Sequence, residues 1–172
     1  MKNNIKFFGI IALIAIIGFS MTACGDDNSG DTYTIGNTNG KLTINNIPSE
    51  YNGEWIIGFA GDDSTGADGL FAAADVNSSG VITGGKISNG TVTLKVWKQT
   101  GHTSMGNFNG NNSEEFTLII IGKETITSSD MEKIGDIFGS NAPDWFVDLG
   151  FGEVTFSAGI GTANLVLMSD LF

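Results

Sequence analysis

The side chains of this sequence that can do chemistry are few, and their spacing restricts what they can do. His102 is the only histidine and sits in the polar stretch QTGHTSMGNFNGNNSEE with no cysteine beside it. Imidazole can serve as a base or a metal ligand, but this setting reads as a solvated loop. Asp62, Asp63 and Asp68 cluster with Ser64 and Thr65 in GDDSTGADG. Calcium takes carboxylate, hydroxyl and carbonyl oxygens from such loops, so these are the aspartates a calcium ion would use. The spacing does not match an EF-hand, and no glutamate follows where a bidentate ligand belongs. The expectation is an acidic turn in water, with no metal and no cofactor. Carboxylate pairs at Glu50/Glu54, Glu114/Glu115 and Asp144/Asp148 are of the kind that divides acid and base roles in glycosidases. None stands in a recognisable catalytic setting. No G-x-S-x-G, H-E-x-x-H or P-loop occurs, and the G-x-G of GFGEVTF and GIGTANL leads into strand-like residues rather than a helix. The chain reads as a non-enzyme, with a secreted hydrolase using acidic residues as the alternative.

The remaining reactive group is the thiol of Cys24, the only cysteine, in FSMTACGDD. Lys2 and Lys6 give a short basic start, and Phe7 to Phe19 is almost wholly apolar. That run is too short to cross a hydrocarbon core as a helix, which takes about 20 residues. A basic start, a short apolar run and small residues before a cut form the layout of a secretory signal. Thr22 and Ala23 directly before Cys24 resemble the bacterial lipobox, with Met21 in place of the usual leucine. The resemblance implies that Cys24 receives a diacylglyceryl group, that residues 1–23 are removed, and that the new amine is acylated. Two or more acyl chains anchor stably where one holds only marginally. The expected address is extracytoplasmic, at a periplasmic face or the cell surface, with the membrane as partner through lipid on Cys24.

Charge and composition limit the other partners. The 172 residues carry a formal charge of −11 and no arginine. Processing removes two of eight lysines and none of nineteen acidic residues, leaving −13. Such a surface excludes nucleic acid, whose phosphates demand basic contacts. It also excludes polybasic docking on anionic lipid. Residues 24–40, rich in Gly, Asn, Asp and Thr, are expected as the lipidated cysteine and a flexible tether. The alternative there is a short edge strand at Tyr33–Ile35. Residues 41–172 are expected as a single β-rich domain.

In that domain short apolar runs alternate with turn signals. KLTINNI sets Leu42 and Ile44 on one face and Thr43 and Asn45 on the other, the period of a half-buried strand. Val92, Leu94 and Val96 alternate with Thr93, Lys95 and Trp97, and Asn89-Gly90 before them is a hairpin signal. FTLIIIG is apolar enough to have both faces covered. LFAAADV fits strand or short helix. Strands so spaced predict a mainly β fold, a sandwich or small barrel of about 7–9 short antiparallel strands. One packed α-helix is expected over about 129–138. Ser129 and Glu132 form a capping box, Met131, Ile134 and Phe138 share a face, and Gly139 sits at the C-cap.

KLTINNIPSEYNG, SNGTVTLKVWK and EEFTLIII, in this order, resemble small β-rich lipoproteins and repeated surface modules of treponeme-type spirochaetes, which carry segments like LTITGIPSEYNGKY and VTLKLWK. The resemblance covers residues 41–122. It implies an envelope address and a β-rich fold, and brings no biochemical activity with it. The expected role is therefore binding or structural. The expected interaction surface is NAPDWFVDLGFG, residues 141–152, which groups Trp145, Phe146, Val147 and Phe151 without a clean strand or helix period. Exposed aromatics there would contact a protein or glycan ligand. Trp97, placed on the outer face of its strand, would extend the patch. The alternative is that Trp145 and Phe151 fold under and fix the helix to the sheet.

Overall fold

The computed structural model describes residues 34–61, 68–79, 81–100, 104–111, 113–122 and 142–171. These are mainly β. Seven strands form the frame: β2 (Gly40–Asn45), β3 (Trp55–Gly61), β4 (Asp68–Ala73), β8 (Val92–Thr100), β10 (Ser113–Gly122), β11 (Phe146–Thr155) and β12 (Ile160–Asn164). Hydrogen bonding runs β2–β8–β4–β3–β10–β11–β12 and returns to β2, which closes a barrel. Closure leaves none of these strands a free edge. Each step is antiparallel except the last, where β12 lies parallel to β2, with Ile160 opposite Lys41 and Asn164 opposite Asn45. Of the two expected architectures it is the barrel that forms, and its closure is not antiparallel.

Smaller elements dress this frame. β1 (Thr34–Ile35) pairs in parallel with β9 (Ser104–Asn107), which itself extends β8. β5 (Asp75–Val76) and β6 (Ile82–Thr83) make a separate two-stranded ribbon. β7 (Gly85–Lys86) adds to β3, and β13 (Val166–Leu167) adds to β11. The turn before β8 places both Asn89 (φ 53°) and Gly90 (φ 71°) in the left-handed region, as a type I′ hairpin turn requires. Ser88 and Thr91 exchange backbone hydrogen bonds across it.

Alternation along the strands sorts apolar side chains into two cores. Inside the barrel lie Leu42, Ile44, Ile56, Leu70, Ala72, Leu94, Val96, Ile119, Ile121, Val154 and Phe156. Phe108 closes this core edge-on to Phe156, with ring centroids 4.9 Å apart. Outside the barrel wall lies a second buried cluster: Trp55, Ile57, Phe59, Phe71, Trp97, Ile120 and Leu149, with Val76, Ile82 and Met105 from the flanking ribbons. Ile119, Ile120 and Ile121 thus face in, out and in, all fully buried. That is why FTLIIIG is apolar without a break.

The outer core corrects one placement. Trp97 does stand on the outward face with Lys95, but it is only 2% exposed. Phe71, directly opposite on β4, stacks beside it at 6.4 Å, and Phe59 follows Phe71 at 4.9 Å. Trp97 Nε1 donates to the Gly36 carbonyl at 2.9 Å. Outward at this position means toward β1 and β9, which cover the ring. For the same reason residues 34–40, expected in the tether, belong to the fold. Gly36 N–H donates to Met105 O at 2.7 Å, and the Thr38 hydroxyl bridges the Val96 carbonyl and the Gly40 N–H. LFAAADV is strand, forming β4 and β5. Residues 146–155, expected without a strand period at their start, form β11; register shifts against β10 break its alternation. The helix expected over 129–138 lies outside the described residues, as do Cys24, His102, Asp62 and Asp63. Among the described residues no helix is long and apolar enough to cross a membrane.

The registers define two barrel ends. At one, β2, β4, β10 and β12 start and β3, β8 and β11 finish, and Thr34 enters beside Ser104. At the other, β3, β8 and β11 start, β10 finishes, and the turns Ser49–Tyr51 and Met168–Leu171 gather. They are called below the Thr34 end and the Tyr51 end.

Candidate functional site

The Tyr51 end collects most of the described side chains that have unusual surroundings. Chain entry into β11 organises it. Pro143 O accepts from Phe146 N–H at 2.9 Å, a turn that delivers Trp145 and Phe146 onto the wall beside Gly122. Trp145 leans on Trp55, ring centroids 5.9 Å apart and planes tilted by 32°. Trp145 and Phe146 pack against the outer core, while Val147 turns to the inner one.

Trp55 is held by glycines on both sides. A Cβ on Gly84 would stand 2.6 Å from Trp55 Cε3, and one on Gly122 would stand 2.4 Å from Cζ2. Only hydrogen at both positions leaves room for the indole. Trp55 is 7% exposed, and both its Nε1 and that of Trp145 are buried without a hydrogen-bond partner. An unpaired buried donor costs about 1–3 kcal/mol.

Next to the indoles stands a polar clamp. Tyr51 OH donates to Asp148 Oδ2 at 2.7 Å, and Ser169 Oγ donates to the same oxygen at 3.2 Å. Asp148 Oδ1 accepts from Leu149 N–H at 2.7 Å. Three segments distant in sequence are thereby tied together at the start of β11. The Tyr51 phenol is pushed up to about 12, first because it donates to the Asp148 carboxylate, then by burial, then by the negative charges of Asp148, Glu50 and Asp170. A phenol that keeps its proton so firmly is a donor near neutrality, not a base. Both oxygens of Asp148 are engaged. The arrangement fastens chain segments.

The aromatic residues expected to form one surface are divided. Trp145, Phe146 and Phe151 are each half-buried. Trp145 and Phe146 meet Trp55, Phe151 lies opposite Val166 on β13, and Trp97 sits with Phe71 nearer the Thr34 end. Asp68 opens β4, and among the described residues no group of three His, Cys, Asp or Glu side chains is placed to hold a metal ion. Glu50 and Asp144 are exposed, Glu54 and Asp148 half-buried, and Glu114 and Glu115 lie in β10. Sequence reasoning passed over Trp55, Tyr51 and Ser169. The pair Gly84-Gly85 and the glycine closing FTLIIIG were signals of a close approach, but nothing local tells what approaches. Compared with protein-family models, curated proteins and solved structures, the chain matches none.

Proposed function

We propose that the chain is an acylated, extracytoplasmic lipoprotein whose barrel is a binding or structural module of the cell envelope. The observation that carries the reading is the lysine-led apolar run closing on Thr22, Ala23 and Cys24. A thiol at that position is a substrate for diacylglyceryl transfer, and at least two acyl chains give stable anchorage. The binding role rests on the half-buried Trp145 and Phe146, which leave part of their aromatic surface open at the Tyr51 end. Aromatic side chains so placed contact peptide or glycan through ring faces and polar edges. Occupation of Asp148 by Tyr51, Ser169 and the Leu149 N–H favours a clamp over a hydrolase carboxylate. The likeness of residues 41–122 to treponeme-type envelope modules points to the same address.

The test is metabolic labelling with palmitate followed by membrane fractionation of wild type and Cys24→Ser. Wild type should carry label and sediment with membranes, and the serine variant should lose label and accumulate as precursor or be released. A serine variant that stays processed and anchored would defeat the reading.

A further inference from the structure

We infer that the barrel stands on the membrane by its Thr34 end, so that the Tyr51 end, with Trp145, Phe146 and the Asp148 clamp, is presented away from the bilayer. The inference rests on lipid attachment at Cys24 and adds a direction to it.

The argument is one of length and attachment. Thr34 and Ile35 pair with Ser104 and Met105. Gly36 is held at both its N–H and its carbonyl, and the Thr38 hydroxyl is bonded to three backbone groups, those of Val96, Gly40 and Phe108. The chain is therefore fixed to the barrel from residue 34 onward. Ten peptide steps separate Cys24 from Thr34. Fully extended they reach at most about 36 Å.

The attachment point is at one end of the barrel, not its waist. Thr34 lies opposite Ser104, Ser104 opposite Thr100 at the finish of β8, and Thr100 opposite Asp68 at the start of β4. The far end is a barrel length away. β11 has ten residues, which at about 3.3 Å each and a tilt of about 40° gives an axial height of roughly 25 Å. Bringing the Tyr51 end to the lipid would raise Thr34 by that height, which takes up most of the roughly 36 Å that the connecting chain can span at full extension. Keeping the Thr34 end down requires no stretching. The surplus of negative charge on the domain adds no attraction for anionic lipid at either end.

The experiment uses the full acylated protein reconstituted into phosphatidylcholine vesicles that carry an acceptor dye on the headgroups. The Cys24 sulfur is blocked by its thioether, so one engineered thiol takes the donor dye. Ser157→Cys places it at the Thr34 end and Glu50→Cys at the Tyr51 end; both side chains are exposed. Energy transfer to the lipid should be higher from Ser157→Cys than from Glu50→Cys. Inserting twenty Gly/Ser residues after Asn28 lengthens the extended reach to about 108 Å and should shrink the difference. Protein that floats with the vesicles but transfers equally from both sites, or more from Glu50→Cys, overturns the orientation alone. Protein that fails to float overturns the anchor and the orientation with it.

Discussion

Gly122→Ala tests how the Trp55 slot is built. The added methyl would lie 2.4 Å from Cζ2 and 2.8 Å from both Cε2 and Cη2 of Trp55. Carbon atoms pack at about 3.5–4.0 Å, so the ring or the strand end must yield by about 1 Å. Trp55 cannot swing away freely, because Gly84 presses its other flank and Trp145 leans on it. Overpacking of this kind costs about 1–3 kcal/mol, which for a domain of this size lowers Tm by about 3–12 °C. The clash is with the outer edge of the indole, which phenylalanine lacks. In a Trp55→Phe background Gly122→Ala should therefore cost at least about 1 kcal/mol less, a coupling readable in a double-mutant cycle. Gly84→Ala behaves differently, since its methyl also meets the Cβ of Trp55 at 2.9 Å, an atom phenylalanine keeps. Its penalty should persist in the same background. Urea unfolding of the purified proteins, followed by circular dichroism, gives all the corners of both cycles. Equal penalties for Gly122→Ala in the two backgrounds would refute the slot.

Tyr51 should titrate near pH 12 when phenolate absorbance is followed in Tyr33→Phe protein, and Asp148→Asn should bring the midpoint down toward about 10. The folded pKa is raised above the unfolded value, so the clamp's contribution to stability is whole below about pH 10 and disappears as pH climbs through about 12. A wild-type midpoint near 10 would show the phenol is not bonded to the carboxylate. Trp97→Phe removes the donor that holds the Gly36 carbonyl and should destabilise by about 1–3 kcal/mol. Its signature is faster hydrogen exchange at the Gly36 amide, which is bonded to Met105 O, with the amides of Ile119 to Ile121 still protected. Unchanged protection at Gly36 would mean that the indole does not fasten the strap.

Which features were legible in the sequence depended on how far the information lay along the chain. Val92, Leu94 and Val96 alternate with polar neighbours because a strand exposes successive side chains to opposite faces, so their inward direction needs no distant partner. The Asn89-Gly90 turn is likewise local, since left-handed φ at two successive positions is a property of those two residues. Even the outward sense of Trp97 followed from alternation. Its burial did not, because the cover comes from Gly36 and its neighbours, 61 residues away. Tyr51 and Asp148 are 97 residues apart, and no pattern in either segment names the other. Trp55 sits in a slot whose walls come from Gly84, Gly122 and Trp145, each on a different part of the chain. The address peptide and Cys24 are read as linear sequence, so sequence alone carries that expectation. Strand faces and turns were determined by local chemistry; closure of β12 onto β2, the second core and the Tyr51 end were decided only when remote segments met.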